Sequence, residues 1–151
     1  MSIHTPRDPA FEHKVRESFE RQRVMALIGA RLGRVEPGHV SIELPHRDDL
    51  TQQHGFLHAG ILGTIADSAG GYAGFTLMPA GSSVLSVEYR IHLLEPAEGQ
   101  RFVATGRVLR SGRTLTVCEL EVEAVKDGGT RRCAWGSQTL ICLEGRRVRE
   151  G

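Results

Sequence analysis

Two histidines four residues apart, and one carboxylate nine residues beyond the second, are the groups in this sequence whose types and spacing suit chemistry. His54 and His58 lie in QHGFLHAG (residues 53–60), and Asp67 lies in the run ILGTIADSAGGYAGF that follows. A histidine pair at this spacing binds zinc when both rings share one helix face, with a glutamate beside the first and a further ligand. Here Gly55 takes the glutamate position, and Gln53 with Gly55 puts the helix start after His54, so the rings need not share a face. The other chemistry belongs to the helix start itself. Around His58, Ala59 and Gly60 the first-turn amide hydrogens lack intrahelical acceptors and carry the positive end of the helix dipole. Such a terminus polarises a carbonyl and stabilises the oxyanion formed when that carbonyl is attacked. The carbonyl reading fits these residues better, and no metal is expected.

A base is still needed, and Asp67 is the carboxylate inside the same helix, flanked by Ala66, Ser68, Ala69 and Gly70. An acid in so apolar a run is either a satisfied structural residue or a working one. Nine residues at about 100° each put Asp67 opposite His58 on the helix and about 13 Å further along it. One chain does not readily bring the two together. A two-fold dimer with antiparallel helices does so twice, which makes a homodimer or homotetramer with its sites between subunits the expected assembly.

The elements that must hold these groups follow from periodicity. Phe11, Val15, Phe19, Val24, Ala26, Leu27 and Ile28 recur at helical spacing, so residues 10–29 read as one amphipathic helix ending near Gly29. HVSIELP alternates with Val40, Ile42 and Leu44 on one face and stops at Pro45, and residues 31–36 are its candidate partner across EPGH. The segment 58–77 is a helix with apolar anchors at Ile61, Leu62, Ile65, Tyr72 and Leu77. Its glycines at 60, 63, 70, 71 and 74 each cost up to about 1 kcal/mol of helix propensity. Such a helix requires other backbones packed closely around it.

The second half reads as strands. In SVLSVEYRIHLL, Leu85, Val87, Tyr89, Ile91 and Leu93 share one face. RFVATGRVLR turns at Ser111 and Gly112 into RTLTVCELEVEAV, where Cys118, Leu120, Val122 and Ala124 alternate with Glu119, Glu121 and Glu123, giving a hairpin with one wet face. Asp127, Gly128 and Gly129 turn into RRCAWGSQTLICL, completing an antiparallel meander. A curved antiparallel sheet wrapped around a central helix, with an N-terminal helix before it, is an α+β architecture.

Composition agrees with one ordinary globular domain over residues 1–151: 40% apolar, 25% charged and a formal charge of +1, with a short basic tail, EGRRVREG. The near-neutral charge gives no reason to expect a nucleic acid partner. The polar N-terminus lacks a secretory core, no run is long enough to span a membrane, and a cytoplasmic location is expected. Cys118, Cys133 and Cys142 have no paired metal-ligand spacing and sit in apolar segments, where burial explains them. His39, His46 and His92 read as exposed or turn histidines.

QQHGFLHAG, Asp67 nine after His58, LSVEYRIHLLEPAEG and a hairpin with SGR together resemble the PaaI-like hotdog-fold acyl-CoA thioesterases, over the span from about Arg34 to Leu143. The resemblance implies that Asp67 is the carboxylate acting as general base or nucleophile, and that the amide of Ala59, with Gly60, is the oxyanion donor. It implies that Gln52 holds substrate or water, that Ser86 faces the carboxylate, and that His58 orients the turn. Coenzyme A carries phosphates, and Arg110 and Arg113 beside Gly112, with Arg90 behind them, are candidate cations; solubilising surface arginines are an equal reading. Gly71 and Tyr72, with Gly70 and Gly74, would shape an aryl or medium-chain acyl pocket. One position departs from the family pattern: Ala59 stands where relatives carry glycine, which keeps the amide but places a methyl near the carbonyl if the turn needs positive φ. The expected activity is acyl-CoA hydrolysis without a cofactor. The alternatives are a non-catalytic acyl-CoA-binding protein, for which no DNA-binding module precedes residue 30, and a hotdog hydratase or dehydratase.

Overall fold

Glycine and alanine at the middle of the central helix set how closely the sheet approaches it. The computed structural model describes residues 3–145, so most of the basic tail lies outside the described residues. The elements are α1 (Phe11–Arg21), α2 (Arg23–Ile28), β1 (Arg31–Glu36), β2 (His39–Pro45), a 3-10 turn at Asp48–Leu50, α3 (Ala59–Phe75), β3 (Ser83–Leu93), β4 (Arg101–Ser111), β5 (Leu115–Lys126) and β6 (Gly129–Leu143). All six strands join one antiparallel sheet in the order β1-β2-β4-β5-β6-β3. β4, β5 and β6 form the expected meander, and β3 lies beyond β6 as an edge.

The core lies between the sheet and α3. Leu62, Ile65, Ala66, Ala69 and Ala73 from the helix are buried with Ile42, Leu44, Phe102, Leu120 and Leu140 from the strands. Each large side chain so buried contributes about 1.5–3 kcal/mol, which offsets the poor propensity of a glycine-rich helix. Backbone meets backbone at Gly106 in β4, where an added Cβ would fall 2.5 Å from the carbonyl carbon and oxygen of Ala69. The three cysteines are buried thiols: burial pushes Cys118 up to about 12 and Cys133 to about 11, so both act as small apolar groups.

Two expectations need correction. The N-terminal helix is two helices, because Gln22 adopts an extended conformation (φ −79°, ψ 96°) between α1 and α2. Its side chain makes hydrogen bonds with Tyr72 and Ser68 on α3, and that tertiary contact prevails over helical periodicity. α2 then ends as expected at Gly29, in the left-handed region at φ 78°. The second correction concerns β3, whose apolar residues do not share one face throughout. Ser86 pairs with Leu140 and Glu88 with Thr139, so Val87 is an extra residue in a bulge, and the alternation changes phase there. Ser86 turns to the helix before the bulge, and Tyr89 brings its hydroxyl to Gly63 after it.

The close approach at Gly106 makes Gly106→Ala costly: neither the β4 backbone nor α3 can yield without disturbing the core. The expected loss is about 2–3 kcal/mol, read as a lower urea midpoint at unchanged slope. An unchanged midpoint would mean that α3 lifts freely from the sheet.

Candidate active site

The start of α3 is built by a tight loop. Thr51 bridges Leu57, the Gln52 amide donates to Phe56 O at 2.9 Å, and Gly55 turns in the left-handed region at φ 84°. The Gln52 side-chain oxygen accepts from the His54 amide, so this residue orders the loop and leaves its amide nitrogen available. His58 is the N-cap, and its Nδ1 accepts from the Gly60 amide at 2.8 Å. This bond ties the His58 ring to the first turn of α3. The same bond corrects the expectation for Gly60, whose amide is occupied. The Ala59 N–H is left without an acceptor among the described residues, exposed at the positive end of the helix. Ala59 is not among the positive-φ residues, so its methyl causes no backbone strain. Gln52 and Ala59 line a mostly apolar cleft of about 330 Å³ with Leu62, Leu93 and Leu94.

Asp67 belongs to a second cluster further along α3. Its Oδ1 accepts from Ser86 Oγ at 2.6 Å and from Gln138 Nε2 at 2.6 Å, and Gln138 Nε2 also reaches the Asp67 carbonyl and Ser86 Oγ, both at 3.0 Å. Oδ2 has no donor among the described residues. The half-buried side chain lines a cavity of about 340 Å³ with Ser18, Gln22, Gly71, Tyr72 and Ser86. Ser18 and Gln22 both hydrogen-bond the Tyr72 hydroxyl, at 3.3 and 3.1 Å. Burial raises the Tyr72 pKa against the opposing pull of those two bonds, so the phenol stays protonated.

Within one chain, then, Asp67, Ser86, Gly71 and Tyr72 converge, whereas Gln52, His58, Ala59 and Gly60 form a separate cluster at the helix start. Arg110, Gly112 and Arg113 lie on the β4–β5 hairpin, at the sheet end where Thr116, Leu140 and Ser86 are in register. Arg90 is exposed on β3 opposite Ser137. None of the three arginines lines the Asp67 cavity, and none has an ion-pair partner among the described residues. Among the described residues no three His, Cys, Asp or Glu side chains group so as to hold a metal.

Sequence reasoning missed Gln138, Gln22 and Ser18. Gln138 had a readable signal: Ala134, Gly136, Gln138, Leu140 and Cys142 are the inward residues of β6, and one of them is a polar amide. The signal for Gln22 was absent, since a surface helix normally carries such a residue facing water.

Comparison with known proteins shows the family. Residues 54–130 match the family model of the thioesterase superfamily. A candidate esterase of Saccharolobus solfataricus is 32% identical over 128 residues, covering 84% of this chain and 90% of that protein. Human acyl-coenzyme A thioesterase 13 is 30% identical over 87 residues, covering 57% of this chain and 61% of the human one. The crystal structure of a thioesterase family protein from Silicibacter pomeroyi superposes with a TM-score of 0.88 at 49% identity, covering 89% of this chain and 99% of that one.

The cap at the helix start is testable apart from any activity. His58→Ala removes the acceptor for the Gly60 amide and is expected to cost about 1 kcal/mol of unfolding free energy, whereas His58→Asn retains most of it. Equal stability of the two variants would show that the imidazole hydrogen bond contributes nothing.

Proposed function

Since the chain belongs to the thioesterase superfamily and is a thioester hydrolase, we propose that its substrate is an aryl or medium-chain acyl-CoA. The reading is carried by one observation: Asp67 is held by Ser86 and Gln138 at Oδ1 alone, beside a cavity lined by its own helix, by β3 and by Ser18 and Gln22. Oδ2 takes a proton from water as the water oxygen attacks the thioester carbonyl. The carbonyl becomes an oxyanion, which the Ala59 amide at a helix start stabilises. Collapse breaks the carbon–sulfur bond, and the proton passes to the departing CoA thiolate. A thiolate is a good leaving group, so one carboxylate and a few donors suffice. The same carboxylate could instead attack the carbonyl directly, with water resolving the resulting anhydride.

The assembly is part of this proposal. β1 is a short, bulged edge carrying Arg31, Arg34 and Glu36, which suits an edge facing water. β3 is an 11-residue edge with Leu85, Val87 and Tyr89 each about half exposed (44–56%), which suits pairing with a second copy. Antiparallel pairing of β3 with the partner's β3 would continue the sheet and set the two α3 helices side by side. The Ala59 amide and Gln52 of one protomer would then face Asp67 of its partner. That arrangement answers the 13 Å separation within one chain. Arg90, Arg110 and Arg113 remain candidates for the CoA phosphates. A CoA substrate fits a cytoplasmic location, and no helix among the described residues is long and apolar enough to cross a membrane.

The test is thiol release from a panel of aliphatic and aryl acyl-CoAs, with a chelator present, comparing the native protein with Asp67→Asn. Turnover by the native protein and a loss of about 10²-fold or more in the variant are expected. Equal turnover would remove Asp67 from the role of base. The assembly has its own readout. Sedimentation should give a dimer or tetramer, and Val87→Asp should yield monomers with little activity; a fully active monomer would refute the shared site.

A further inference from the structure

Gln138 is fully buried in the middle of β6, between Tyr89 of β3 and Cys118 of β5 in the sheet register. Its amide has a defined orientation. Asp67 Oδ1 and the Asp67 carbonyl accept hydrogen bonds and donate none, so the nitrogen must face them, as it does at 2.6 and 3.0 Å. Ser86 Oγ donates to Asp67 Oδ1 and receives from the same Gln138 nitrogen at 3.0 Å, which closes a triangle of side chains from α3, β3 and β6. The opposite end of the amide is orphaned. Gln138 Oε1 is buried without a hydrogen-bond partner among the described residues, directed at Gly70, where any Cβ would collide with it.

A buried acceptor without a donor destabilises a fold, and methionine or leucine would fill the same volume without that penalty. The orphaned oxygen thus offsets part of what the bonds of the nitrogen contribute, and stability alone is a weak reason for an amide here. What the amide does is confined to one carboxylate. It saturates Oδ1 together with Ser86 and ties the helix that carries Asp67 to the strand that carries Ser86. Being neutral, it neither competes with the carboxylate for a proton nor cancels its charge, as glutamate or lysine at this position would.

We propose that Gln138 is the positioning residue of the acid: it locks Asp67 Oδ1 against Ser86 Oγ so that Oδ2 is the oxygen presented to the reacting water. The proposal rests on the assignment of Asp67 as base. Gly70 belongs to the same device, since only glycine leaves room for the orphaned oxygen.

The experiment is a double-mutant cycle on the full-length assembled protein, using Gln138→Met, Asp67→Asn and both together, with one acyl-CoA that the native protein turns over. Gln138→Met should stay folded with the native oligomeric state and a melting temperature lowered by no more than a few degrees, keep KM within about twofold, and lower kcat about 10- to 100-fold. In the Asp67→Asn background the same change should have no further effect, because a residue that acts only through the carboxylate has nothing left to position. Gln138→Glu preserves the shape and sets an oxygen against Oδ1 in place of the donor; it should lose at least as much. A native kcat in either Gln138 variant, or equal losses in both backgrounds, overturns the proposal. A fully active Asp67→Asn overturns the base assignment and this proposal with it, whereas an inactive Asp67→Asn beside a fully active Gln138→Met overturns this proposal alone.

Discussion

Backbone contact between α3 and the sheet is the constraint from which the other features follow. At Gly106 the strand lies against the peptide between Ala69 and Gly70, and at Gly70 the helix leaves space for Leu120 and Gln138. A helix carrying ordinary side chains at these points would ride higher above the sheet. Its aspartate would then lose both donors at Oδ1, since hydrogen bonds of 2.6 Å tolerate little displacement. The poor helix propensity of this segment is thus linked to the geometry of the carboxylate. Small residues weaken the isolated helix and allow the approach that makes the folded one stable and useful.

The same approach explains the division of labour along α3. Its first turn emerges from the Gln52–Leu57 loop, exposed, with a histidine cap and one amide that has no acceptor among the described residues. Its middle is buried against β4, β5 and β6, where a charge is tolerable only with donors at hand. The donors come from two strands that are neighbours in the sheet but distant in sequence: Ser86 from β3 and Gln138 from β6. The bulge at Val87 lies next to Ser86 and changes the phase of β3, so that both Ser86 and Tyr89 face α3. Without the extra residue, strict alternation would turn one of them away.

The N-terminal helices extend this logic to the cavity. The break at Gln22 costs a turn of helix, yet it lets one side chain accept from Ser68 and donate to Tyr72. The cavity wall opposite β3 is therefore a short polar network rather than an apolar stripe, and Tyr72 keeps its proton within it. Aromatic packing of Phe19 in α1 on Tyr72, with centroids 6.0 Å apart, holds the same ring.

Much of this was legible in the residues alone. Period-two alternation identifies β2 and β5, and the turn at Asp127, Gly128 and Gly129 opens β6. Gly29 and the His58–Gly60 start bound their helices, and an acid within an apolar helix marks Asp67, because each of these depends on neighbours a few positions away. Tertiary structure decided the rest. The extended conformation of Gln22 depends on Tyr72 and Ser68, some 50 residues later, and the bulge at Val87 on its pairing with β6. The occupation of the Gly60 amide by His58 depends on one rotamer of the cap. Gln138 could be placed on an inward face by counting, but its partner could not. Which helix residue faces a given strand residue depends on how closely two backbones approach, and that distance was set by the glycines between them.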